Sequence, residues 1–280
     1  MSVFELDLGE SRLSLELPES CAAILPAFQP SSRPADPSSA EGRHRLSITE
    51  ENARYRVEWT DPDSAAAKQR KLPSPELAML VLEEAIERKV IADAKRLLAL
   101  HGGAVATPVG ACLLLGDSDS GKSSTTFQLL ELGAGFLCEE ISLCEPETWQ
   151  VVPYPQTLTL SDSLLSEFTA DLEPRGQLHR LLPGIVRYRP DQLPDVGDRS
   201  EPIERVLLPR FRAGVPTNLD PLSPDSALTE VLGYAFPPNV DTEVQFDRMI
   251  ALLERVETLR FTYSSASTAR AALAELFGLS

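Results

Sequence analysis

Basic residues are scarce in this 280-residue chain: Lys and Arg number 26 against 42 Asp and Glu, a formal net charge of −16 at pH 7. Such a balance repels phosphate backbones and excludes nucleic acid as a main partner unless a local basic patch offsets it. The candidates for a patch, Arg187 with Arg189 and Arg210 with Arg212, are short, and a basic peptide or protein suits the charge better. Cysteine is also sparse. Cys21, Cys112, Cys138 and Cys144 form no C-x-x-C and have no histidine in metal-ligand spacing, so they read as small buried residues of a reducing compartment. No window approaches a membrane-spanning length, and Met1-Ser2-Val3-Phe4-Glu5 lacks a basic segment followed by an apolar run. The expectation is a cytoplasmic protein without a membrane partner. Internal repeats are absent. A hydrophobic share of 42% and a charged share of 24% fit a globular chain with a sizeable core.

What the chain does have is Gly116-Asp117-Ser118-Asp119-Ser120-Gly121-Lys122-Ser123, a G-x-x-x-x-G-K-S loop. An apolar run, Cys112 to Leu115, precedes it and a helical pattern from Ser123 to Leu132 follows, stopped by Gly133. Such a loop turns backbone N–H groups toward one point at a helix N-terminus, where the lysine neutralises phosphate and the hydroxyl reaches Mg²⁺. The expectation is a nucleotide, ATP first, held by residues 116 to 124, Ser124 included.

The flanking segments place this motif. Phe4 to Leu17 alternates as a hairpin, Gln29 to Arg43 reads as a loop or flexible linker, and Arg45 to Thr49 and Ala53 to Trp59 read as strands. Residues 1–71 are therefore expected to form a small β-rich module, with His44 exposed at a strand start, and residues 72–280 a second domain. Ser74-Pro75-Glu76 opens a helix whose Leu82, Ile86, Val90, Ala94 and Leu98 recur every four residues. That helix is expected to end at His101-Gly102-Gly103, with glycine as the left-handed cap. Strands follow at Ala104 to Ala106, Ala111 to Leu115 and Phe136 to Cys138. The last runs into Glu139-Glu140, ahead of a hairpin, Ile141 to Cys144 and Trp149 to Val152. Asp171 to Ile203 has poor periodicity and reads as a lid, a binding loop or disorder. Val206 to Leu208 and Thr258 to Tyr263 read as strands, and Ser223 to Leu232, Asp241 to Arg255 and Ser267 to Phe277 as helices.

Phosphoryl transfer needs positioned phosphates, a metal and a group for the proton of the attacking hydroxyl. Lys122 would bridge the β and γ phosphates, Ser123 would ligate Mg²⁺, and Glu139 or Glu140 would hold the metal or accept the proton. His101 joins them if the strand after it pairs beside that of Leu113. Blander readings stand beside these: Glu139-Glu140 as a solvated strand end, His101 as a helix cap, His179 as a surface residue, and Arg210 and Arg212 as partners of local acids.

His101-Gly102-Gly103, Leu113 to Ser123 and Gly133 to Glu140 together resemble the C-terminal kinase domain of HPr kinase/phosphorylase and the HPr-kinase-related proteins. Pro209-Arg210-Phe211 and Leu219 to Pro224 resemble the related kinases more loosely. The resemblance implies an α/β P-loop kinase domain of the HPr kinase and phosphoenolpyruvate carboxykinase type, with a small β-rich N-terminal module. It further implies ATP- and Mg²⁺-dependent transfer to a serine hydroxyl of a peptide, small protein or small metabolite. His101, Lys122 and Glu140 fall on catalytic positions, Glu140 on the general base, while Ser123 and Glu139 fall on metal positions. The resembling enzyme is a hexamer, so a homo-oligomer is implied. Two departures are visible: both acids are Glu where the family has Asp, and Asp119 stands where it usually has Gly. These departures motivate the alternative of a nucleotide-binding regulator that has lost transfer.

Overall fold

The computed structural model describes residues 1–279 apart from 61–64, 163–164, 167–175, 192–201 and 237–240. It is a mixed α/β fold, and the strands among the described residues form three sheets. The first sheet holds β1 (Ser2–Leu8), β2 (Ser11–Leu17), β3 (Arg33–Pro34), β4 (His44–Glu51), β5 (Arg54–Thr60) and β6 (Ala67–Leu72), ordered β3-β1-β2-β4-β5-β6. Alternation drives it: Leu6, Leu8, Leu13, Leu15 and Leu17 are buried, and Gly9 at φ 56° turns the hairpin. A short helix, α1 (Glu19–Ala22), follows β2, and α2 (Pro75–Asp93) packs on β2, β4, β5 and β6. The start of α2 is fixed by Ser74, whose side chain accepts from the Leu77 N–H, and by Pro75 in the first turn.

The central sheet is ordered β11-β10-β7-β8-β15-β17-β16, with β9 also paired to β7. Its strands are β7 (Leu98–Thr107), β8 (Gly110–Leu115), β9 (Gly135–Cys138), β10 (Ile141–Glu145), β11 (Gln150–Val152), β15 (Ile203–Phe211), β16 (Asn218–Leu222) and β17 (Glu257–Tyr263). β8, β15 and β17 run parallel, and β8 is buried along its whole length. Leu113 and Leu115 join the core that α2 closes, whereas Cys112 and Leu114 join the opposite core. That second core holds Phe127 of α3 (Lys122–Glu131), and α3 packs on the C-terminal helix. Burial on both faces explains the unbroken apolar run of β8. Helices α4 (Pro224–Val231), α5 (Thr242–Arg255) and α6 (Ala266–Phe277) complete the chain, each opened by a Ser or Asp side chain that caps it. A three-stranded sheet, β12-β14-β13, comprises β12 (Leu158–Ser161), β13 (Gly176–Leu182) and β14 (Ile185–Pro190).

Several expectations need correction. The helix of residues 75–93 stops at Asp93, and Leu98 to Gly103 is strand. The four-residue apolar period continued past Asp93 because Leu98 is buried too, but in a strand flanked by β8 and β10. Gly102 and Gly103 are not caps. A Cβ on Gly102 would lie 2.4 Å from the Leu114 carbonyl, so the residue is needed for close packing. Within Asp171 to Ile203, residues 176–190 form the β13–β14 hairpin rather than a loop, while 171–175 and 192–201 lie outside the described residues. Gln29, at the start of the segment read as a loop or flexible linker, is buried, as is Phe28 before it. His44 is half-buried in β4, where burial lowers its pKa first and Lys89 adds to the effect. His179 is likewise half-buried, and burial followed by Arg189 lowers its pKa. All four cysteines are free and buried. Among the described residues no helix is long and apolar enough to cross a membrane.

Candidate functional site

β8 delivers the chain into Gly116, and α3 begins at Lys122. Between them Asp119 takes φ 63° and Gly121 φ 103°. Gly121 is constrained twice, because a Cβ there would also stand 2.2 Å from the Tyr263 hydroxyl. Tyr263 donates to the Gly121 carbonyl at 3.3 Å, and the Phe211 N–H donates to the Ser120 carbonyl at 2.9 Å. The ends of β15 and β17 thus hold the loop. The N-cap of α3 is Gly121, which has no side chain to offer, unlike the Ser or Asp that caps α2, α4, α5 and α6, so among the described residues no N-cap side chain takes up its first-turn N–H groups. Lys122 donates from Nζ to the carbonyls of Gly116 at 2.6 Å and Asp117 at 3.1 Å. Burial pulls its pKa down, against Glu140, Glu139, Asp117 and Asp119, which raise it.

The acidic pair is set by the β7 glycines. β9 ends with Cys138 opposite Ala104, and β10 begins with Ile141 opposite His101, so Glu139-Glu140 spans the link opposite Gly102-Gly103. The Gly102 N–H donates to the Glu140 carbonyl at 3.2 Å, and a Cβ on Gly103 would press within 3.2 Å of the Glu139 carbonyl. His101 and the acids are therefore brought together by the strand that had been read as a helix end. Glu139 is 4% exposed. Its oxygens accept from the Ser123 hydroxyl and the Thr159 N–H, each at 2.8 Å. Burial, then the Glu140 charge, raises its pKa well above the carboxylate range, and those two hydrogen bonds lower it. Glu140 is more open, with Oε2 at 3.6 Å from His101 Nδ1. His101 also packs edge-on against Phe236 at 5.9 Å.

Apart from Glu139, these groups open on a cavity of about 470 Å³. His101, Asp117, Ser118, Asp119, Gly121, Lys122, Ser123, Ser124 and Glu140 line it. Gly116 and Ser120 instead line an adjoining hollow of about 270 Å³ with Arg210, Glu230 and Tyr234, and Asp117, Ser118, Asp119 and Phe211 border both spaces. Glu139 lines a third space, about 200 Å³, with Glu83, Glu87, Glu140, Gln156 and Arg187. One arginine of each short cluster is taken up by a local acid. Arg187 is bonded to Glu83 in a buried pair at 2.6 and 3.1 Å, and Arg210 to Glu230 at 2.6 Å. Lining residues to which the sequence assigned no site role include Thr159, Ser161, Phe211, Tyr263 and Ala266 in the main cavity and Glu83 and Glu87 in the third space. One signal for the last two was present: acids four apart on α2, beside the Leu82–Ile86–Val90 stripe.

Glu87 carries a pH prediction. Burial above all, then the neighbouring Glu83, raises its carboxyl from 4.5 to about 7, while the Gln156 side chain, donating at 2.9 Å, lowers it. Because the folded value exceeds the unfolded one, the stability this group contributes is full below about pH 4.5 and is lost as pH rises through about 7. Glu87→Gln should therefore stabilise the protein by about 1–3 kcal/mol at pH 8 and by almost nothing at pH 4.5. Denaturant unfolding at the two pH values reads this directly; an equal effect at both would be against it.

No protein-family model matches the chain, and neither does any curated protein. Among solved structures, the HPr(Ser) kinase/phosphatase from Coxiella burnetii is similar over 64% of this chain and 97% of that one, with 10% identity and a TM-score of 0.28. A likeness this low establishes neither a common fold nor an activity.

Proposed function

We propose that this chain is an ATP- and Mg²⁺-dependent kinase of the HPr-kinase-like type, transferring phosphate to the hydroxyl of a serine or small metabolite. The observation that carries the reading is convergence: Lys122, the uncapped start of α3 and the His101–Glu140 pair all face one cavity. The loop N–H groups and Lys122 receive the phosphates and offset the charge that spreads over the transferring group. Glu140, partly open to the cavity, accepts the proton of the acceptor hydroxyl as its oxygen bonds to phosphorus and the bond to the leaving phosphate oxygen breaks. His101 orients that carboxylate. Bound Mg²⁺ would supply charge neutralisation at the phosphates. The residues fit such an ion: a hydroxyl and a carboxylate already paired, Ser123 and Glu139, would hold it with phosphate oxygens and water.

Incubation with γ-labelled ATP, Mg²⁺ and serine-containing acceptors should label the acceptor on oxygen. ATP binding with no transfer to any acceptor would instead favour a nucleotide-binding regulator. Asp119 is the observation on that side, an exposed acid at φ 63° in the loop itself. Only Gly, Asn and Asp visit that conformation at low cost, so Asp119→Gly should change stability by less than about 1 kcal/mol. Removing its charge should tighten ATP roughly three- to ten-fold at low salt, with the gain shrinking as salt rises. Titration calorimetry at two salt concentrations checks it, and unchanged affinity at low salt would clear Asp119 of any cost to binding.

A further inference from the structure

The sheet order gives the cavity two unlike ends. On one side of β8 lie β7 and β10, whose junction holds His101 and the acidic pair; on the other lie β15 and β17, which end in Phe211 and Tyr263. Both aromatics line the cavity, and Ala266 at the start of α6 stands with them. Tyr263 is 2% exposed and stacks on Phe261 at 4.9 Å, whereas Phe211, at the end of a buried strand, is 50% exposed. The Phe211 ring is nevertheless fixed. It meets Tyr263 edge-on at 5.7 Å and 67°, its N–H is bonded to Ser120 of the loop, and the next N–H, of Arg212, to the Tyr263 carbonyl at 2.8 Å. An exposed aromatic tied through its backbone to a polyphosphate-shaped loop has the position a flat ring attached to those phosphates would need.

We infer that Phe211 is the stacking platform for the nucleobase, with Tyr263 fixing its orientation, so that the aromatic end takes the nucleoside and the His101–Glu140 end takes the transferring phosphate. This rests on the nucleotide reading above and extends it to which residue distinguishes a nucleotide from a bare polyphosphate. Stacking tolerates any base, because each has a π-face, so adenine and guanine nucleotides should bind within a few-fold of each other.

The test is titration calorimetry of the full chain with ATP and with tripolyphosphate, each with Mg²⁺, for the wild type, Phe211→Ala and Phe211→Tyr. From the usual value of base–aromatic stacking, Phe211→Ala should weaken ATP by about ten-fold or more. Tripolyphosphate should stay within two-fold, and Phe211→Tyr should retain ATP affinity. An alanine variant that keeps ATP within two-fold of wild type overturns the inference. So does equal weakening of both ligands, which would make Phe211 a support of the loop. Wild type that binds tripolyphosphate but not ATP removes the nucleobase site and leaves the loop reading standing. Wild type that binds neither removes both.

Discussion

Lys122→Ala should lower phosphate transfer by about 10²–10³-fold, the usual loss when one preorganised charge-stabilising donor is removed. The ammonium is fixed at the loop by its bonds to the Gly116 and Asp117 carbonyls, and burial already disfavours its charge there. Glu140, Glu139, Asp117 and Asp119 favour the charged form against that burial, so the ammonium is available to an incoming polyphosphate, whose oxygens would replace the two carbonyls. The change should leave the thermal midpoint nearly unaltered, because the two carbonyls it releases lie at a partly open loop. Steady-state transfer together with thermal unfolding separates the outcomes. Intact folding with transfer within a few-fold of wild type would contradict the assignment. Lys122→Arg should not restore full rate, because a planar fork replaces a point charge.

Arg187→Leu should cost about 3–5 kcal/mol of stability, the usual loss when one partner of a buried ion pair is removed. Both members of the Arg187–Glu83 pair have side chains 9% exposed, and the guanidinium bonds both carboxylate oxygens while lying 4.9 Å from the Phe28 ring. Burial raises the Glu83 carboxyl and Arg187 opposes it, so removing the arginine raises it further. The loss should accordingly grow with pH and be smallest in acid, where Glu83 folds protonated. The paired replacement Glu83→Met with Arg187→Leu should recover much of it, since no buried charge is then left alone. Denaturant unfolding of the two variants at pH 5 and pH 8 is the measurement. A single variant within about 1 kcal/mol of wild type would show that the pair contributes little.

The loop and its flanks were legible because they carry local signals: an apolar run, two glycines at fixed spacing and a helix opened by Lys122. The β7 strand was not. Leu98 to Thr107 is buried nearly throughout, and a doubly buried strand has no alternation to distinguish it from the face of a helix. His101 therefore looked like a helix end, although its partnership with the acids depends on the β7–β10 register. Residues 176–190 failed differently. That hairpin presents a first strand with no fully buried residue and a bulge between His179 and Leu182, which blur a two-residue period. Glu83, Glu87 and Arg187 belong to long-range contacts that no local pattern encodes. Asp119 was visible as an anomaly in the loop, and its positive φ supplies the reason that glycine is the easier residue there.

The central claim is that the start of α3, with Lys122, is a polyphosphate cradle, and thermal unfolding with ATP, GTP and pyrophosphate, each with Mg²⁺, tests it most directly. A ligand at about 100 times its Kd adds about 2.7 kcal/mol to the folded state, which for a chain of this size raises the midpoint by roughly 5–8 °C. Such a rise is expected with ATP and with pyrophosphate, and none in Lys122→Ala. No shift with any of the three ligands, up to millimolar concentration, would contradict it.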